Sequence, residues 1–194
     1  PAHIAELAGA DVVVLVGMGL EGRLEDAARH AGSNAEVVTM AGVLGLAGDA
    51  QHHHDHADGH DHDHAGATDP HLWLDPVLAR EFVLALPERL PTLVGPERAS
   101  ALGERIGEVD AAYRERLEPF AGRAIITHHA SFGRVAERYG LDVGAVLRVI
   151  ETVEPSAAEI ARARRAIEET GAGVIFVEPQ FSGTVAQRLA ESAG

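Results

Sequence analysis

What most constrains this chain is an alternation of short β-branched runs with helical segments, interrupted once by a much longer helix. Asp11–Val16 (DVVVLV) is apolar and β-branched and reads as a buried parallel strand. Leu20–His30 places Leu20, Leu24, Ala27 and Ala28 at helical spacing and stops near Gly32. Glu36–Thr39 is a second strand, and residues 41–68 lack apolar periodicity and read as loop. Pro76 fits the first position of the next helix, which continues to about Leu90.

The interruption is Glu97–Phe120, where Leu102, Ile106, Val109, Ala112, Tyr113 and Leu117 recur with helical period. At 1.5 Å per residue it would reach roughly 36 Å, the span of a small domain. The alternation then resumes. Arg123–Thr127 is a strand, and Ser131–Tyr139 a helix closed by Gly140. Val143–Val149 is a strand, and a helix opens at Glu154-Pro155-Ser156 and runs to Thr170 with Gly171 as its stop. Val174–Val177 is a strand and Gly183–Ser192 a final helix. Strands alternating with helices predict parallel sheets covered on both faces. The expected fold is therefore α/β, with two lobes, each a parallel sheet flanked by helices, joined by one long rigid helix. The divisions are 1–94, carrying a His-rich loop at 50–67, then 95–121 as connecting helix and 122–194 as second lobe. Ligands of such sheets bind at the carboxyl ends of the strands.

Composition narrows the function. Sixteen basic residues, all Arg, stand against thirty carboxylates, for a net charge of −14. An acidic surface opposes nucleic acid as a partner but does not oppose a cation. Cysteine is absent, so a zinc or iron site must use His and carboxylates. No stretch has the roughly 20 apolar residues of a transmembrane helix.

Seven of the twelve histidines fall in one tract, His52, His53, His54, His56, His60, His62 and His64, interleaved with Asp55, Asp58, Asp61 and Asp63. So many imidazoles offer many two- and three-His combinations suited to Zn, Cu or Ni. Apart from Ala57 the tract has no apolar residue to give a core, and it reads as a flexible loop of modest affinity. Just beyond it, Asp69-Pro70-His71-Leu72-Trp73-Leu74-Asp75-Pro76 places His71 between two prolines, in a setting stiff enough for preorganised ligation. Thr127-His128-His129-Ala130-Ser131-Phe132 sets two histidines where a strand gives way to a helix. Glu178 follows the strand at 174–177 in the same way. Gly17-Met18-Gly19-Leu20-Glu21-Gly22 fits the dinucleotide fingerprint G-x-G-x-x-G. Glu21 would sit against a pyrophosphate, and strand two ends in Thr39-Met40 without the acidic residue that binds a ribose, so a tight strand-to-helix turn is the better reading. No Cys nucleophile, G-x-S-x-G turn or H-E-x-x-H is present, and the chain does not read as an enzyme.

Taken together, IAELAGAD followed by VVVLVGMGLEGRL, the His-rich loop before DPHLWLDP, THHASFGRVAERYGL, IETVEPS and FVEPQFS resemble the zinc/manganese substrate-binding proteins of bacterial ABC transporters, the high-affinity zinc-uptake type. The resemblance runs nearly end to end. It implies two α/β lobes joined by a rigid helix that limits hinge opening, with metal held between them. Family ligands carry over to His71 and His129, with His128 structural and Glu178 next to the site behind a ligand. The implied cargo is Zn²⁺ in preference to Mn²⁺, since manganese-type members carry a carboxylate where His129 stands. The implied partner is the membrane permease of an ABC transporter. The implied state is a monomer on the outer face of the cytoplasmic membrane, periplasmic or lipid-anchored. Two further family ligands, a His upstream and a carboxylate downstream, have no match; His3 does not align with the first. The chain thus reads as a fragment lacking both ends, including the family's first strand. The competing readings are a His-rich metal buffer or chaperone, and a nucleotide-binding enzyme acting through Gly17–Gly22.

Overall fold

In the computed structural model, residues 7, 9–30, 35–46, 69–148, 156–179 and 183–193 are described. The His52–His64 tract, His3, Glu154-Pro155 and Gln180-Phe181 lie outside them. The chain divides into two compact units, residues 1–110 and 111–194.

In the first unit, β1 (Val12–Leu15) pairs in parallel with β2 (Glu36–Thr39), in a register running from Val12 opposite Glu36 to Leu15 opposite Thr39. Between them lies α1 (Arg23–His30). Alternation on β1 sends Val13 and Leu15 inward against Ala28 of α1. The helix begins three residues later than its apolar spacing predicts, because Gly17, Met18, Gly19 and Gly22 all have positive φ and cannot extend a right-handed helix. The expected loop after strand two opens instead with a short helix, α2 (Met40–Val43), since the Thr39 hydroxyl caps the Gly42 N–H. Met40 and Ala41 then join Leu72 in a second apolar cluster, with Val16, Met18, Leu78 and Phe82 packed on it.

A 3₁₀ turn at Leu72–Leu74 leads into α3 (Pro76–Arg89). Asp75 caps this helix by accepting from Val77 N and Leu78 N, with Pro76 at a position whose N–H would have no intrahelical partner anyway. The long helix α4 runs Pro96–Leu117 and tightens to a 3₁₀ turn at Glu118–Phe120, where Pro119 can no longer donate to the ladder. The boundary between the units falls inside α4. Among the described residues no helix is long and apolar enough to cross a membrane.

The second unit holds a three-stranded parallel sheet in the order β4–β3–β5: β3 (Ala124–His129), β4 (Asp142–Arg148) and β5 (Ile175–Phe176). The helices α5 (Gly133–Tyr139), α6 (Ala157–Thr170) and α7 (Thr184–Ala193) follow β3, β4 and β5. Two differences from the sequence reading bear on the site. Strand β3 extends through both His128 and His129 rather than ending at Thr127. Strand β5 keeps only two of its four expected residues; Val174 and Val177 on either side are about half exposed. The core is small-residue packing of Ile126, Ala145, Leu147, Ala163, Ala172, Ala186 and Leu189. A capping box between Ser156 and Glu159 starts α6. Gly140 ends α5 at φ 73°, a left-handed cap that costs glycine little and any other residue more.

Candidate metal centre

His71 is built by its neighbours in sequence. Asp69 Oδ1 accepts from the His71 backbone N–H at 2.9 Å, closing an Asx turn around Pro70. The same oxygen accepts from the His71 ring at Nδ1, 2.6 Å away. Leu72, the next residue, is fully buried in the Met40–Ala41 cluster and pins the turn to the fold. Trp73 packs its ring 5.2 Å from the imidazole at 58°. The two Asp-Pro pairs of DPHLWLDP thus do parallel work. Asp69 turns the chain and orients the histidine, while Asp75 turns the chain and caps α3.

His129 is built by the end of the sheet. The β3–β5 register sets Thr127 opposite Phe176, the last residue of β5, and Glu178, two residues beyond that end, meets His129, the last residue of β3. His129 Nδ1 donates to Glu178 Oε1 at 3.1 Å, and Ser131 Oγ donates to the same oxygen at 3.0 Å. His129 is 6% exposed. His128 points to the opposite face, as strand alternation requires, and is 1% exposed.

The chemistry at both histidines is the same. An ionised carboxylate can only accept, so the ring nitrogen facing it carries the proton. Nδ1 is then the protonated nitrogen and Nε2 holds the acceptor lone pair, the electron pair a metal ion takes. A carboxylate behind an imidazole also raises its basicity as a ligand. Two nitrogen donors of this kind suit zinc. Among the described residues, no three His, Cys, Asp or Glu side chains gather into a complete metal site.

Sequence reasoning singled out His71, His129 and Glu178 but missed Asp69 and Ser131. Asp69 was within reach, since it sits two residues before His71, the spacing of an Asx turn; Ser131 reads as the start of a helix and gives no such signal. Glu21 folds back to accept from Val16 N and from Gly17 N at 3.0 Å, which holds a carboxylate inside the turn that a pyrophosphate would have to approach. Gly17 is required there, since a Cβ would lie 3.2 Å from that of Thr39 and φ is 86°.

The chain is 31% identical over 168 residues to zinc-binding protein AdcA of Streptococcus pyogenes serotype M6, covering 83% of this chain and 32% of that protein. It is 26% identical over 213 residues to the high-affinity zinc uptake system protein ZnuA of Yersinia pestis, covering 98% of this chain and 67% of that protein. The chain therefore spans about a third of the AdcA relatives it matches. Among solved structures, a crystal structure of ZnuA superposes with a TM-score of 0.73 at 23% identity, covering 100% of this chain and 72% of that one. The laminin-binding protein Lbp of Streptococcus pyogenes gives 0.74 at 21%, covering 98% and 70%. At these identities the structural likeness is one of fold. All of residues 1–194 match the family described as zinc-uptake complex component A, periplasmic (ZnuA), and the chain belongs to that family.

Proposed function

We propose that this chain contributes His71 and His129 as ligands of a Zn²⁺ ion captured outside the cytoplasmic membrane for delivery to an ABC-transporter permease. The observation that carries the reading is the shared second layer: each histidine donates Nδ1–H to a carboxylate, Asp69 or Glu178, and so keeps its lone pair on Nε2. Family membership supports zinc as cargo, and the relatives named as zinc-uptake and zinc-binding proteins point the same way. A relative named as a zinc-binding lipoprotein, from Streptococcus pneumoniae, supports an envelope location with a lipid anchor. The family is one of transport components rather than enzymes. Imidazole nitrogen favours zinc over manganese, whose preference is for oxygen. The cation enters a protein with a net charge of −14, which assists its approach.

The test is zinc titration of the whole native protein against a competing chelator. His71→Ala and His129→Ala should each weaken the tight site by about 100-fold or more, beyond the range for residues that only support a ligand. An unchanged tight site in both variants would refute the assignment. The density of histidine at His52–His64 favours a second, weaker zinc store in the tract. Deleting residues 52–64 should lower the number of zinc ions bound and leave both the tight site and the circular-dichroism spectrum unchanged. Loss of the tight site in the deletion would shift the reading to a His-rich metal buffer.

A further inference from the structure

We infer that Ser131 is a positioning residue for metal capture, acting on His129 through Glu178. The inference rests on His129 being a zinc ligand, as proposed above. Three facts carry it. Ser131 is 2% exposed, so its hydroxyl has no solvent to bond and must find its partner in the protein. That partner is Glu178 Oε1, at 3.0 Å, the oxygen that His129 Nδ1 also meets at 3.1 Å. The chain brings the serine back toward the site by a tight turn at the end of β3, in which Ser131 N donates to the His129 carbonyl at 2.9 Å.

The geometry makes the hydroxyl a specific device. Glu178 lies two residues beyond the end of the two-residue strand β5, next to part-exposed Val177. A second donor on the same oxygen fixes where that oxygen sits, and so fixes the plane and tautomer of the imidazole. Thr127 lies on the same side of β3, also fully buried. Its Oγ1 has no hydrogen-bond partner among the described residues, so it does not duplicate the contact. The serine therefore contributes by orientation, without touching the metal.

The experiment uses the whole native protein, zinc with a competing chelator, and two-bond ¹H–¹⁵N spectra of the histidine rings. The His129 signals are assigned by their loss in His129→Ala. Ser131→Ala should weaken the tight zinc site by about 3–10-fold, less than the roughly 10–100-fold typical of a group bonded directly to a ligand. The metal-free His129 ring should lose part of its Nδ1–H population. Ser131→Cys, nearly isosteric with a much weaker donor, should fold like the wild type and shift both readouts in the same direction. In a Glu178→Ala background, Ser131→Ala should add nothing further. Wild-type affinity and tautomer in the Cys variant would overturn the inference, as would an equal loss from Ser131→Ala with and without Glu178. Those results leave the ligand assignment standing. A tight site indifferent to His129→Ala removes the ligand assignment itself.

Discussion

His71 finds its carboxylate two residues away in the chain, and His129 finds its own 49 residues away. The two arrangements reach the same chemistry by different routes. Around His71 a proline-stiffened Asx turn makes the contact locally, and the fold adds Leu72 as an anchor. Around His129 nothing local would suffice. The contact depends on β3 and β5 pairing in one register, and a slip of one residue would turn Glu178 to the other face. A local clamp is held by the turn's own hydrogen bonds, whereas a non-local one is only as firm as the sheet that makes it.

The largest effects that separate the two come from the cores beneath them. Ile126→Ala removes a fully buried side chain from β3 and should cost about 2–5 kcal/mol of the second unit's stability. It should also disperse the His129 ring signals. Leu72→Ala removes a fully buried side chain beside His71 and should cost a similar amount in the first unit. The Asp69–His71 contact should survive it, because both partners remain in the same turn. Chemical denaturation followed by histidine NMR checks both. If Leu72→Ala abolishes the His71 clamp as completely as Ile126→Ala abolishes the other, the distinction between local and non-local clamps is wrong.

Removing the clamps themselves should act next. Glu178→Ala and Asp69→Ala should each weaken zinc binding by about 10–100-fold. Asp69→Ala should do the greater harm, since it takes away the Asx turn as well as the ring contact. Chelator competition measures both, and the reverse ranking would mean that the turn is held by Pro70 and Leu72 alone. The smallest effect belongs to the caps. Asp75→Ala should cost about 1 kcal/mol through the lost bonds to Val77 N and Leu78 N, and should change zinc affinity little. Thermal melting reads the first and titration the second. A large loss of affinity would make Asp75 a partner of the site rather than of the helix.

The same contrast explains what the sequence disclosed. Features set by neighbours in the chain were legible: the β-branched run of β1, Pro76 opening α3, the start of α6 at Ser156, and the glycines that stop α5 and α6. His71 stood out because Pro70 and Pro76 flank it. What required the third dimension was less visible. The apolar run at 174–177 looks like a four-residue strand, yet only Ile175 and Phe176 join the ladder, because pairing depends on what β3 offers alongside. Leu20 has helical spacing, but the positive φ values at Gly19 and Gly22 delay α1 to Arg23. The G-x-G-x-x-G match is a true pattern with a false implication, since Glu21 bonds to the loop's own amides. Ser131 reads as the first residue of a helix, yet it lies in the turn after β3, and its bond to Glu178 depends on β5 pairing beside that strand.

Anomalous diffraction at the zinc edge, from zinc-loaded crystals of the whole native protein, tests the proposed ligand role of His71 and His129 most directly. One strong zinc peak should lie about 2.0–2.1 Å from Nε2 of both His71 and His129, with Asp69 and Glu178 still on the Nδ1 side of each ring. A tight zinc ion bound through Nδ1, or held by neither histidine, would contradict it.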